Sequence, residues 1–280
     1  MPRNEKAIRV LTSSTNTREL ARAAQELAAS ADADDQAALG AALRNSALQA
    51  RLDPPDADYA GAEDLNIARP LRTLAGNRSP LARGTLTTLI NDATFTEDPD
   101  RFDLLLRATA TWRPPDPVVV AFWRRAMDPD DVHFQIAVAV ATENATEPAV
   151  AFFESCLRDA RYDDETKISW MRRPLLMHRV EEPFLKMSER LLSTGPPAPL
   201  ARPLQAALVE ALFDFKQEEW YPPHSPPVPP RWTATTPAGR DILRRIAAYA
   251  RNTLGPGAEL ETAIKAVVTQ LDAIDGTRPR

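Results

Sequence analysis

Apolar and polar positions alternate along this chain at helical rather than strand spacing. Leu20, Ala23, Ala24, Leu27 and Ala28 fall on one stripe, and Leu39, Ala42, Leu43 and Ala47 on the next, with Asp34 or Asp35 placed to cap it. After a loop running from Asp53 to Asp64, residues 65–75 and 80–91 read as two more helices. The middle is the most regular part. Phe102, Leu105, Leu106 and Thr109 mark a helix over 101–112, followed by helices over 118–127, 133–142, 148–159, 167–179, 183–192 and 199–213. Two C-terminal helices carry Ile242, Leu243, Ile246, Tyr249, Ala250 and Leu254, then Leu260, Ile264, Val267, Val268, Leu271 and Ile274, with Gly255-Pro256-Gly257 as the stop between them.

A proline marks the openings. Asp116-Pro117, Glu147-Pro148 and Glu182-Pro183 each precede an apolar run, with the prolines 31 and 35 residues apart. Proline is tolerated there because the first helical N–H has no intrahelical partner anyway. The intervening helices recur as well: Asp130-Asp131 and Asp163-Asp164, each at a helix start, lie 33 residues apart. Two helices sharing one period predict an all-α fold of stacked antiparallel hairpins, each burying its apolar face on its neighbours. The reading divides the chain into a helical-repeat region over 1–215, a proline-rich segment over 216–236 and a helix pair over 237–275 that packs as a cap. Residues 222–230 hold six prolines in nine positions. They are expected to form an extended strap about 28 Å long, at roughly 3.1 Å per residue, anchored by Trp220, Tyr221 or Trp232. The PxxP spacings Pro223–Pro226 and Pro227–Pro230 also allow the segment to serve as a ligand for another domain.

The acidic-proline openings, together with Pro174 inside the helix over 167–179, resemble the HEAT-repeat family and more loosely armadillo-type arrays. The resemblance covers roughly residues 98–215 and implies paired helices, a kinked outer helix and a curved solenoid. An arginine that often follows in the family's second helix has no constant position here. Some HEAT-like proteins are DNA glycosylases with a basic groove of Trp, Arg and Asp, which keeps a nucleic-acid enzyme as an alternative function, beside an accessory protein for a small ligand.

Composition narrows the chemistry. Nine glycines in 280 residues suit helices better than turn-rich sheets. The net charge of −5 weighs against a general nucleic-acid binder, which needs a basic face. No run of 18 apolar residues occurs, so no membrane span is expected, and the first residues lack a secretory-type apolar core. One cysteine, Cys156, on an amphipathic run, reads as a buried thiol in a cytoplasmic protein. Three histidines, His133, His178 and His224, leave little for a catalytic dyad or a metal site. No phosphate-binding glycine loop and no GxSxG are present. The acidic residues Asp53, Asp56 and Asp58 lack the glycine and terminal glutamate of a calcium loop. No catalytic residue, metal or cofactor is therefore expected, and the balance is against an enzyme.

What remains is surface. Trp123 has two registers: aligned on the prolines it joins a polar column with Glu154 and Glu189, and aligned on Phe122-Trp123 over Phe152-Phe153 it is buried, the register preferred here. The second helices of the repeats carry Arg124, Glu154, Arg158, Lys186, Glu189 and Arg190 at helical spacing. Mixed signs along such a column suit a protein partner better than a phosphate backbone. The expected function is a protein-binding scaffold, adaptor or regulatory module.

Overall fold

The computed structural model describes residues 4–54, 64–176, 181–193, 198–213 and 235–276, the side chains of 173–176 excepted. All regular structure among them is helical. The proline strap over 222–230, with Trp220, Tyr221 and Trp232, lies outside the described residues, as do His178 and His224.

The chain divides into two compact units, 1–140 and 141–280. In the first, α1 (Glu5–Ser13), α2 (Thr17–Ala29), α3 (Ala33–Leu43) and α4 (Ser46–Leu52) precede α5 (Ala68–Gly76), α6 (Pro80–Asn91), α7 (Ala93–Thr96), α8 (Pro99–Thr109) and α9 (Pro117–Arg125). Helix α2 packs on α5 and α5 on α8, while α3 packs on α6 and α6 on α9. Sequential neighbours α2 and α3, α5 and α6, and α8 and α9 also touch. The core is aliphatic along the two N-terminal rows, with Leu20, Leu27, Leu39, Leu43, Leu71, Leu86 and Leu89 all buried, and aromatic toward α8 and α9.

The boundary falls within α10 (His133–Asn144). The second unit contains α11 (Glu147–Arg158), α12 (Asp164–Leu176), α13 (Glu182–Leu192), α14 (Arg202–Phe213), α15 (Pro237–Tyr249), a π-helical turn (Ala250–Leu254) and α16 (Ala258–Gly276). Its odd-numbered helices form one line of contact, α11 on α13 on α15, and its even-numbered helices another, α12 on α14 on α16. Phe153 meets the Phe184 ring edge-on at 6.2 Å, joining α11 to α13.

The openings with proline divide into two kinds. Asp98, Asp116, Ser79 and Thr236 accept bonds from backbone N–H groups two or three residues ahead, each with proline at the first helical position. Such a cap stabilises a helix by about 1 kcal/mol. At Glu147-Pro148 and Glu182-Pro183 the preceding residues, Thr146 and Glu181, make no side-chain cap, and the glutamate is instead the first-turn acid facing the helix dipole. Asp163 caps α12 through the Thr166 N–H at 2.7 Å, which holds its carboxyl below the usual carboxylate range. At the other end, Gly255 takes φ 65°, the left-handed turn that stops the helix before α16.

Two local expectations differ from the structure. The cap of α3 is Asp32, whose carboxylate accepts from the Asp34 and Asp35 N–H groups. Asp35 itself is buried and accepts from Asn4 Nδ2 at 2.8 Å and Ser30 Oγ at 2.6 Å, so it ties the chain's start to α3. Ala47 is exposed, because Asn45 caps a new helix at Ser46 and resets the helical phase. The contact with Asn4, invisible in a local window, decides the first outcome, while the Asn45 cap that decides the second is itself local.

Candidate functional site

The side chain with two possible registers is settled by burial. Trp123 is fully buried, and its Nε1–H donates to Thr109 Oγ1 at 2.8 Å. The Thr109 hydroxyl in turn donates to the Leu106 carbonyl at 2.6 Å. Trp123 thus belongs to the core between α8 and α9, and Arg124 and Arg125 are turned outward, both exposed. Arg125 is occupied: it donates to Ile90 O at 3.0 Å, at the C-terminal turn of α6, and stacks over Phe122 and Phe102. Arg124 stands in the last turn of α9, where positive charge complements the helix dipole.

In the second unit the other five members of the polar column fall on α11 and α13. Glu154 is the node. Its side chain is only 13% exposed, and two guanidinium groups close on it. Arg158, one turn along α11, reaches Oε1 at 3.1 Å, and Arg190 of α13 reaches Oε2 at 2.7 Å. Arg158 also donates to the Ala198 carbonyl at 2.6 Å, tying the segment that leads into α14. A largely covered carboxylate is tolerated here because charge-assisted donors replace much of its water.

Lys186 and Glu189 belong to different clusters. Lys186 pairs with Glu182 at 2.8 Å, and Glu182 accepts a second bond from Thr236 Oγ1 at 3.2 Å. The Lys186 ammonium, then the Thr236 hydroxyl, hold the Glu182 carboxyl below its ordinary range, and the same contact raises Lys186. Glu189 instead faces α15, where Arg245 grips both its oxygens and is itself raised by them. The five members in the second unit therefore fall into three salt-linked groups laid across α11, α13 and α15, with Glu154, Arg158 and Arg190 together, while Arg124 stands on α9 in the first unit and joins none of them.

Residues outside the column continue this pattern. Arg240 is fully buried, donates to Thr235 O at 2.6 Å and holds Asp275 of α16. Arg244 bonds the second Asp275 oxygen at 2.6 Å and Asp272 at 3.0 Å. Arg240 first, then Arg244, push the Asp275 carboxyl down to about 2. The i,i+4 pair Glu182–Lys186 carries a local sequence signal. Arg245 and Arg240 carry none, since their partners lie 56 and 35 residues away.

His133, the one described histidine, opens α10 in the first unit. Its backbone N–H donates to Asp131 at 3.0 Å, and its ring lies edge-on to Phe102 at 5.0 Å, with Nε2 3.3 Å from the Pro99 carbonyl. These contacts bind the link before α10 to α8. Cys156 is buried in α11. Among the described residues no three His, Cys, Asp or Glu side chains converge to hold a metal ion, and no helix is long and apolar enough to cross a membrane. What the polar face can do chemically is present compensated charge to another surface. Comparison of the chain with protein-family models, with curated proteins and with solved structures finds no match.

Proposed function

We propose that this chain is a cytoplasmic protein-binding scaffold, built as a HEAT-like array of helical hairpins, that engages its partner through the polar face of its second helices. Support for the array comes from the lines of alternate helices within each unit, α2–α5–α8 beside α3–α6–α9 and α11–α13–α15 beside α12–α14–α16. Helical hairpins that bury one face on the preceding pair and one on the following pair produce such lines. The observation that carries the binding role is the arrangement of charge on α11, α13 and α15. Acids and bases there are paired across neighbouring helices, so the side chains are held in place before any partner arrives. A surface ordered in advance loses less side-chain entropy on association. Its mixed signs match a protein surface of complementary pattern rather than a uniformly charged backbone.

The test is affinity capture with the full chain from the native host, crosslinking to locate the contact, and titration of the captured partner against variants. Lys186→Gln with Arg190→Gln, both on α13, is expected to weaken binding at least tenfold, at about 1.4 kcal/mol per tenfold. Normal binding by that variant removes the assigned face. Tight binding of DNA or RNA by the wild type at physiological salt removes the function.

A further inference from the structure

A cleft of about 670 Å³ lies in the first unit, apart from the polar face described above. That volume is within the range of small-molecule sites. One wall is the outer surface of α2, where Arg18, Ala21, Arg22 and Gln25 follow one another at helical spacing. The other is the turn before α5, with Asp64 and Leu65, and Arg69 in the first turn of α5. Helices α2 and α5 pack against each other along this cleft, so the two walls belong to one rigid pair.

Among the described residues, three guanidinium groups line this space against one carboxylate, in a chain whose net charge is −5. Their pairing differs from that of the arginines in the second unit. In the second unit Arg158, Arg190, Arg240, Arg244, Arg245 and Arg251 each hold a carboxylate. Here Arg18 and Arg69 form no ion pair with any described residue. Arg22 reaches only Glu26, at 3.4 Å, with side chains 83% and 52% exposed, a pair too solvated to occupy it. Arg69 also stands where positive charge opposes the helix dipole, a placement that a bound anion relieves.

We propose that the α2–α5 cleft binds a small phosphorylated molecule. Arg18 and Arg22, one helical turn apart, present two planar forks on the same side of α2, and a guanidinium fork matches phosphate oxygens two at a time. Arg69 closes on the phosphoryl group from the α5 side. Asp64 is the acceptor for a hydroxyl on the body of the ligand, and Ala21 and Leu65 supply an apolar floor. The three cations are too few and too local for a long nucleic-acid track, which needs a continuous basic stripe.

The experiment is isothermal titration of the full chain at low salt with inorganic phosphate, pyrophosphate, ATP, citrate and a single-stranded 12-nucleotide DNA. Pyrophosphate or ATP is expected to saturate one site and to raise the melting temperature, with citrate weaker. Arg18→Gln with Arg69→Gln is expected to weaken that binding at least tenfold, since each charge-assisted hydrogen bond is strong enough to account for such a factor. The variant without ligand should melt with the wild type, because both side chains are exposed. Heat without saturation for every phosphate probe up to about 10 mM, where affinity corresponds to only about 3 kcal/mol, overturns the proposal. So does equal binding by the double variant. DNA that binds tightly, with steep salt dependence and no competition from pyrophosphate, replaces the small-ligand site with a nucleic-acid surface.

Discussion

The Glu154 cluster makes a quantitative test possible, because three side chains of known exposure meet there. Consider Arg190→Glu. The wild-type contact is Arg190 Nη2 to Glu154 Oε2 at 2.7 Å, with the arginine half exposed and the glutamate side chain 13% exposed. Exposed pairs contribute about 0.2–1 kcal/mol, and hydrogen bonds to charged groups about 1.5–3 kcal/mol. Half exposure of the arginine places the lost attraction toward the lower range, at about 0.5–1.5 kcal/mol. The new carboxylate would sit near Glu154, where like charges about 4 Å apart repel by about 1 kcal/mol in water and about 4 at an intermediate dielectric. It can swing into solvent, and Arg158 still neutralises Glu154, so the repulsion stays near the water limit. Arg190→Glu should then destabilise by about 1.5–2.5 kcal/mol, and Arg190→Gln by about 0.5–1.5 kcal/mol. The assay is thermal and urea unfolding followed by circular dichroism at 20 mM and 500 mM salt. For a protein of this size each kcal/mol moves the midpoint by roughly 2–4 °C. The double-mutant cycle of Arg190→Gln with Glu154→Gln isolates the pair, and its coupling should shrink at high salt. An Arg190→Glu variant as stable as wild type at low salt refutes the reasoning, as does zero coupling in the cycle. The same arithmetic makes Arg190→Gln, rather than the reversed charge, the variant suited to a binding experiment.

The buried bond from Trp123 to Thr109 predicts that Thr109→Val, nearly isosteric, costs about 1–3 kcal/mol by leaving a buried N–H without its acceptor. Urea unfolding measures it, and a loss below about 0.5 kcal/mol would show that the indole finds another acceptor. Asp275 supplies a pH dependence. Its carboxyl titrates at about 2 when folded, against about 3.9 in an unfolded chain, so its stabilising contribution is complete above about pH 4 and disappears as pH falls through 2. The stability gap between wild type and Asp275→Asn should therefore narrow from pH 5 to pH 2, and a constant gap would contradict the clasp by Arg240 and Arg244.

Helix identity was legible in the sequence because it is a local property. Residues 80–91 and the helix opened by Thr236-Pro237 appear as read, since a cap, a proline and a 3.6-residue stripe all act within a few positions. The Asp130 and Asp163 starts held for the same reason: Asp131 accepts from the His133 N–H, and Asp163 from that of Thr166. The polar character of Arg124, Glu154, Arg158, Lys186, Glu189 and Arg190 was also local. What each of them touches was not. Glu154 is nearly buried because Arg190, on another helix, neutralises it, and Glu189 turns away from that cluster because Arg245 waits on α15. Asp35 became a buried tie rather than a cap through Asn4, 31 residues away. Likewise the cleft between α2 and α5 joins Arg18 and Arg69 across 51 residues of chain, a distance no periodicity spans. A sequence pattern records the energetics of a turn or a helix face, while charge pairing depends on which helices are brought side by side, and that is decided only when the cores of both units close.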